Sequence, residues 1–267
     1  MILSYLYWDP AREMLPFNLP ILDRPILWYG FFFAFGFFIA YWIAIHMLKG
    51  EFGKKEARHI VDKMMLYIIL GTIIGARLGD ILFYQDISDY IHDPLAVFRV
   101  WEGGLASHGG VVGVIIGIFL CSRKLKISWI RLLDFIAIPT CIVASCIRIG
   151  NFFNQEILGK PSDLPWAVIF GHPADGGEIV PRHPAQMYEA LFYFLLFFVL
   201  YFTRDHLKKR GRVAGTFLIS VFTFRFFIEY FKMEQSVYLT GSASLFTMGQ
   251  ILSIPFILFG IYLCSKK

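Results

Sequence analysis

Charged residues are scarce in this chain of 267 residues, making up 17% of the sequence against 57% for hydrophobic residues. Soluble globular chains carry about 25% charged and about 45–50% apolar residues. A soluble domain of this length could not bury so much apolar surface. The composition also excludes intrinsic disorder, a collagen-like repeat and a disulfide-rich scaffold. What remains is a protein that crosses a membrane several times.

Cysteines are also few, and they lie in or beside apolar runs, with no CxxC pair and no His/Cys cluster at metal spacing. They are Cys121, Cys141, Cys146 and Cys264. We interpret them as small buried hydrophobic residues and expect neither a metal nor a cofactor. Residues 1–25 lack the pattern of a cleavable signal peptide, because they contain Asp9, Arg12, Glu13 and several prolines. We expect this segment to remain as an N-terminal tail.

Seven apolar stretches are long enough, or nearly so, to cross a bilayer as helices of about 20 residues. They predict an all-α integral membrane protein that forms a single membrane domain over residues 1–267. The predicted spans cover about 26–48, 62–84, 105–121, 132–150, 185–203, 213–232 and 245–264.

Most of the 25 Lys and Arg residues lie after spans 1, 3 and 5 or at the C-terminus. The positive-inside rule therefore places the N-terminus outside and the C-terminus in the cytoplasm. The net charge of +5 follows from these cytoplasmic clusters, so it does not predict a nucleic-acid partner. The tail 1–25 and the long connection 151–184 then lie outside. The connection is rich in Pro and Gly and predicts an irregular loop region, with one short strand at Ala167–Phe170.

Polar and ionisable residues interrupt the spans, although a charge near the bilayer centre costs at least about 2.5–3.5 kcal/mol. With the predicted orientation, all of them fall in the outer half of the membrane except Asp134, which lies at the cytoplasmic start of span 4 and is expected to act as a helix-start carboxylate. The others are Tyr29, Arg77, Asp80, His108, Arg148, Glu189, Arg225 and Glu229. An ion pathway would need polar groups across the full depth of the membrane. The distribution instead favours a pocket that opens to the outer leaflet.

Simpler roles remain open for several of these residues. Arg225 and Glu229 are four positions apart and could neutralise each other. Arg77 could reach the outer headgroups or pair with Asp80. His108 could be an interfacial hydrogen-bonding residue. Glycines recur every four residues in spans 2 and 3, which predicts close packing of helix backbones. They are Gly71, Gly75 and Gly79, and Gly109, Gly113 and Gly117.

Arg148 is the hardest of these residues to explain by solvation alone, because two amides and a carboxylate follow it at the end of span 4. These are Asn151, Asn154 and Glu156. Arg77, Arg148 and Arg225 are predicted at one depth, and guanidinium groups bind phosphate through paired, charge-assisted hydrogen bonds. A phosphate ester in the outer leaflet is most simply a phospholipid. The residues thus predict a headgroup pocket and leave both an enzyme and a transporter open.

Six blocks of this sequence resemble bacterial prolipoprotein diacylglyceryl transferases over nearly the whole chain. The first runs from Arg148 to Gly159 and reads RIGNFFNQEILG. The others are WYG at 28–30, WEGG at 101–104 with HGG at 108–110, PRHPAQMYE at 181–189, FRFFIE at 224–229 and MGQILS at 248–253. Asp80 stands where this family is expected to have an aromatic residue.

The resemblance implies an inner-membrane enzyme that transfers the diacylglyceryl group of phosphatidylglycerol to the lipobox cysteine of prolipoproteins. It implies His108 as the base and Arg148 and Arg225 as catalytic cations. The implied substrate-binding residues are Tyr29, Arg77, Arg148, Asn151, Asn154, Glu156, Gly159 and Glu229. The alternative is a phospholipid transporter or flippase. A retinal receptor is disfavoured, because span 7 has no lysine for a Schiff base.

Overall fold

The computed structural model describes residues 5–18, 25–85, 93–99, 106–207, 209–233 and 247–266. The chain forms two compact units, of which the first comprises Met1–Trp42 with Ile136–Lys267 and the second Ile43–Phe135. The predicted WEGG block at 101–104 lies outside the described residues, and so does the side chain of His108.

Seven long helices correspond to the seven predicted spans. They are α1 (Trp28–Phe52), α2 (Lys54–Tyr84), α3 (Ser107–Leu125), α4 (Trp129–Phe153), α5 (Ala185–Thr203), α6 (Arg212–Ile228) and α7 (Met248–Ser265). Among the described residues, α1, α2, α4, α5 and α6 are long and apolar enough to cross a membrane. The protein is therefore a multi-pass membrane protein.

Several helix ends differ from the predicted spans by a few residues, and two of these differences have a local cause. Helix α2 begins at Lys54 rather than near residue 62, because its charged first turns still favour helix, with Glu56 close to the N-terminus. Helix α6 stops at Ile228, and a 3-10 turn at Glu229–Phe231 follows, where the prediction ran on to residue 232. Hydropathy locates apolar stretches but does not report these changes in backbone geometry.

The first unit also contains short strands, so the all-α prediction is incomplete. They are β1 (Leu6–Trp8), β2 (Glu13–Asn18), β3 (Pro25–Leu27), β4 (Val168–Phe170) and β5 (Pro181–Arg182). Strand β4 confirms the predicted strand at 167–170. It pairs in parallel with β1 and antiparallel with β5, while β2 and β3 form an antiparallel pair. The tail strands were missed because each is stabilised by a distant or irregularly paired partner.

Strand β1 is attached to the end of α4 by its tryptophan. The Trp8 indole N–H donates to the carbonyl of Phe152 at 3.2 Å. The Trp8 ring lies 4.7 Å from the Phe152 ring and 5.2 Å from the Phe153 ring. Phe152 belongs to a small core with Leu158, Val168 and Phe170. Strand β1 is therefore packed on the end of α4 and on the loop region.

In the second unit, α2 and α3 cross at their glycines, which confirms the predicted close packing. A Cβ atom at Gly113 would lie 1.9 Å from the carbonyl oxygen of Gly71, and one at Gly75 would lie 2.3 Å from that of Gly109. Only hydrogen atoms fit at these positions. The glycines thus set the distance between the two helix backbones.

We expect Gly113→Ala to lower the thermal unfolding midpoint of the detergent-solubilised protein by several degrees, because the new methyl group must push α2 and α3 apart. Gly110→Ala is the matched control, since its Cβ would meet its nearest neighbour at an ordinary 3.6 Å. Equal midpoints for the two variants would contradict the tight crossing.

Candidate active site

Arg148 lies near the end of α4 and makes two polar contacts inside the first unit. Its Nε lies 3.2 Å from Oε2 of Glu189, whose side chain is 0% exposed on α5. Its Nη1 donates to Oδ1 of Asn151, one helical turn further along α4, at 3.1 Å. The predicted cation and the first predicted amide are therefore joined directly. The guanidinium is fixed from two sides by residues of different helices.

The segment after α4 folds back so that Glu156 faces the helix end. Asn151 donates to Oε1 of Glu156 at 2.6 Å, and Asn154 donates to the same oxygen at 3.4 Å. Gln186 of α5 donates to the backbone carbonyl of Glu156 at 2.7 Å. The structure thus brings together three predicted substrate-binding residues. It also adds Gln186, which the prediction did not include.

The residues immediately before and after Glu156 both have left-handed backbone conformations. Gln155 has φ of 54° and Ile157 has φ of 58°. This region is strained for a β-branched residue such as Ile157. The two positive φ values reverse the chain direction sharply, which is how Glu156 returns to Asn151.

Lys232 connects the two predicted arginines through carboxylates. Its Nζ lies 3.3 Å from Oε2 of Glu189 and 3.7 Å from Oε1 of Glu229. Glu229 in turn lies 3.9 Å from Nη2 of Arg225, as its i, i+4 spacing predicts. The charges therefore alternate along a row from Arg148 to Arg225. We call these five residues, Arg148, Glu189, Lys232, Glu229 and Arg225, the charge cluster.

The charge cluster carries an excess of positive charge, because three cations meet two carboxylates. Arg225 is the most accessible cation of the three, with its side chain 35% exposed and its contact to Glu229 long. Arg148 is 15% exposed and Lys232 only 6%. An anion approaching the cluster would thus meet guanidinium groups, with the lysine behind them.

Gly159 lies in a backbone pairing that fixes Lys232. The two residues form an antiparallel bridge, and Lys160 N–H donates to the carbonyl of Phe231 at 2.8 Å. A Cβ atom at Gly159 would lie 2.3 Å from the carbonyl oxygen of His183. The predicted substrate-binding glycine therefore occupies a position where a side chain would separate the loop from its neighbours.

Tyr29, at the start of α1, packs beside the turn of α4 that carries the site. A Cβ atom at Gly150 would lie 3.0 Å from Cδ2 of Tyr29 and 3.1 Å from its Cα. Gly150 stands between Arg148 and Asn151 in sequence. Tyr29 is thus close to the residues with which it was predicted to act.

Arg77 belongs to the second unit and is 7% exposed. It donates through Nη2 to the carbonyl of Ala96 at 2.6 Å and through Nε to that of Val97 at 3.1 Å. These carbonyls lie in the 3-10 helix Pro94–Phe98, so Arg77 ties this connection to α2. His108 lies in the first turn of α3. The predicted substrate-binding role of Arg77 and catalytic role of His108 stay predictions.

Lys232 is the cation that sequence reasoning missed. The sequence places it in an external connection, whereas it is buried and paired with a glutamate 43 positions earlier. The sequence also indicates Glu189 as an ionisable residue of span 5 but does not indicate its partner. The available signal was that two carboxylates, Glu189 and Glu229, required compensation in the same outer half of the membrane.

Comparison with known proteins identifies similar proteins over nearly the whole chain. The family model of prolipoprotein diacylglyceryl transferase matches residues 16–265. The chain belongs to this family. The expected family resemblance is thereby confirmed.

Individual relatives are similar at full length. The protein named phosphatidylglycerol–prolipoprotein diacylglyceryl transferase in Protochlamydia amoebophila is 34% identical, with 99% of this chain and 96% of the relative covered. The protein of the same name in Chloroherpeton thalassium is 40% identical, with coverages of 99% and 95%. That of Tolumonas auensis is 42% identical, with coverages of 97% and 96%.

Within this diacylglyceryl transferase chain, we expect Glu189→Ala to destabilise the protein strongly, because it leaves the buried cations Arg148 and Lys232 without their shared carboxylate. Breaking a buried ion pair in this way costs about 3–5 kcal/mol. Glu189→Gln should be destabilising too, and adding Lys232→Met should restore part of the loss. The measurement is thermal unfolding in detergent, and additive losses in the double variant would argue against the pairing.

Proposed function

We propose that this protein transfers the diacylglyceryl group of phosphatidylglycerol to the lipobox cysteine of prolipoproteins, the first step of lipoprotein maturation. The main observation behind the proposal is the charge cluster, in which carboxylates hold the two arginines in place so that they can bind a phosphate. The names of the full-length relatives support the same activity. The products are a thioether-linked lipid on the protein and free glycerol phosphate.

The proposed topology has seven spans, the N-terminus outside and the active site at the outer leaflet of the inner membrane. Tyr29 and Glu189 lie near the starts of α1 and α5, and Arg148 and Arg225 near the ends of α4 and α6. Alternating spans bring these ends to the same side of a membrane. The cationic connections follow the opposite helix ends, which supports a cytoplasmic location for them.

In the proposed reaction, the cysteine sulfur attacks the diacylglyceryl carbon that is bonded to the phosphate oxygen. A C–S bond forms while the C–O bond breaks, and glycerol phosphate leaves with the electron pair. Negative charge grows on the departing phosphate. Arg148 and Arg225 would stabilise that charge more in the transition state than in the bound lipid, which lowers the barrier.

The other residues of the site hold the arginines and the headgroup. Glu189 and Glu229 fix the direction of Arg148 and Arg225, with Lys232 linking the two carboxylates. Asn151, Asn154, Glu156 and Tyr29 offer hydrogen bonds to the glycerol hydroxyls. His108 is the proposed base for the thiol proton, because free thiols ionise near pH 8.5 and histidine accepts protons near pH 6.5.

Product chemistry separates this transferase from a phospholipid transporter or flippase. The purified protein is mixed with phosphatidylglycerol vesicles and a lipobox peptide, and mass spectrometry follows the peptide while glycerol phosphate is measured. We expect both products in equal amounts. Lipid movement across the vesicle membrane without either product would favour the transporter.

Cysteine-accessibility labelling checks the proposed orientation. Cysteines introduced at Lys160 and Lys209 into a background without native cysteines should behave oppositely in intact cells. The cysteine at 160 should react with a membrane-impermeant reagent, and the one at 209 only after lysis. Labelling at 209 from outside would reverse the topology.

Arg148→Ala and Arg225→Ala should each abolish transfer while the protein still inserts into the membrane. Arg148→Lys and Arg225→Lys should recover little activity, because an ammonium lacks the planar, bidentate donors of guanidinium. Initial rates with the lipobox peptide are the measurement, and membrane abundance is the control. Near-normal rates for Arg148→Lys would mean that charge alone is sufficient.

His108→Gln should slow transfer by about 10²- to 10⁴-fold if His108 is the general base. Raising the pH should then restore part of the rate, because more thiol ionises without help. The measurement is the pH profile of transfer for the wild type and the variant. A constant ratio between the two profiles would retire the base role.

A further inference from the structure

Three side chains of the outer loop region and α5 form a hydrogen-bonded chain beside the charge cluster. The indole Nε1–H of Trp166 donates to the hydroxyl oxygen of Tyr188 at 2.8 Å. The same hydroxyl lies 3.2 Å from Nδ1 of His183. None of the three belongs to the predicted site.

The chemistry of the groups fixes the direction of the first hydrogen bond, and the second depends on the tautomer of His183. An indole N–H can only donate, so the Tyr188 oxygen accepts from Trp166. The hydroxyl has one hydrogen of its own, and among the described residues His183 Nδ1 is its remaining partner. When the hydroxyl donates this hydrogen to the ring, Nδ1 is the acceptor. A neutral imidazole with an accepting Nδ1 carries its proton on Nε2.

The surroundings of His183 also favour the neutral ring. Burial lowers the pKa of His183 below the usual range of histidine. This lowered pKa favours the uncharged ring, which presents an N–H group at Nε2 when Nδ1 is the acceptor.

His183 is built into the same backbone pairing that positions Lys232. Its N–H donates to the carbonyl of Lys160 at 3.0 Å, and its ring lies 5.2 Å from the ring of Phe231, which precedes Lys232. Phe231 is 45% exposed and Trp166 is 57% exposed. Exposed aromatic residues at the end of a span are typical of the headgroup layer of a membrane.

We propose that His183 is a neutral hydrogen-bond donor whose Nε2–H binds an oxygen of the phosphatidylglycerol headgroup. The inference rests on the proposed function and adds a binding residue to it. Within the described residues, Nε2 has no hydrogen-bond partner from the protein. A ring held in this tautomer cannot accept the thiol proton at Nε2, so His183 binds the lipid and does not act as the base.

The test compares two amides that differ in reach. In His183→Gln the side-chain amide nitrogen lies near the position of Nε2, so an N–H donor is retained there. In His183→Asn the shorter side chain places the amide nitrogen near the position of Nδ1, so the donor at the Nε2 position is lost. KM for phosphatidylglycerol, KM for the lipobox peptide and kcat are measured from pH 6 to 8 with the full-length protein. His206→Gln is the control, because His206 is exposed in the 3-10 turn Arg204–His206, which follows the opposite end of α5.

We expect His183→Asn to raise KM for phosphatidylglycerol about 3- to 10-fold, the effect of one neutral hydrogen bond, with kcat nearly unchanged and no dependence on pH. His183→Gln should stay within about 2-fold of the wild type, like the control. Tyr188→Phe should raise KM as well, because Nδ1 then loses the donor that fixes the tautomer.

Several results would overturn this proposal. They are an unchanged KM for phosphatidylglycerol in His183→Asn, or an equal rise of this KM in the Asn and Gln variants. The others are a ratio of variant to wild-type KM that changes with pH, or a change in KM for the peptide instead of the lipid. Equilibrium binding of phosphatidylglycerol in detergent micelles is measured in parallel. If the wild type forms no thioether, the proposed function fails. Even then, weaker phosphatidylglycerol binding by His183→Asn supports His183 as a hydrogen-bond donor to the lipid, and unchanged binding rejects that role.

Discussion

The buried carboxylate of Glu189 is the group on which the arrangement of the site depends. A charge without access to water is tolerated only when it is paired, since the penalty for desolvating it otherwise exceeds the gain from packing. Glu189 meets this condition through Arg148 on α4 and Lys232 after α6. Each cation requires the carboxylate in the same way. One buried charge therefore joins α4 and α5 to the segment that follows α6.

These ion pairs determine which kind of ligand the site can bind. The carboxylates of Glu189 and Glu229 hold the arginines in place but leave part of the Arg225 guanidinium exposed to a ligand. An anion that binds there meets hydrogen-bond donors that are already ordered, so binding costs little further side-chain entropy. Such preorganised donors stabilise charge as it develops, with little rearrangement at the moment of reaction. The accessible Arg225 and the buried Lys232 then differ in role, one facing the ligand and the other fixing the frame.

The sequence predicts the spans and the glycine crossing well, because hydropathy and a four-residue repeat are local properties. It also predicts Arg148 with Asn151, since both lie on one turn of the same helix. Lys232 and strand β1 could not be predicted in this way. Lys232 follows a helix end and is buried only because Gly159 and Glu189, far away in the chain, pack against it. Arg77 carries a charge whose partners are backbone carbonyls, which have no sequence signature.

The strained turn after α4 explains why the N-terminal tail matters to the site. Left-handed residues such as Gln155 and Ile157 cost about 1–3 kcal/mol each unless their surroundings hold them. The buried Gln155 side chain is held from both sides, since its Oε1 accepts from the His172 N–H at 2.7 Å and its Nε2 donates to Asp9 at 3.3 Å. Asp9 directly follows strand β1. The tail thus stabilises the turn that directs Glu156 to Asn151, and the geometry beside Arg148 depends on residues at the opposite end of the chain.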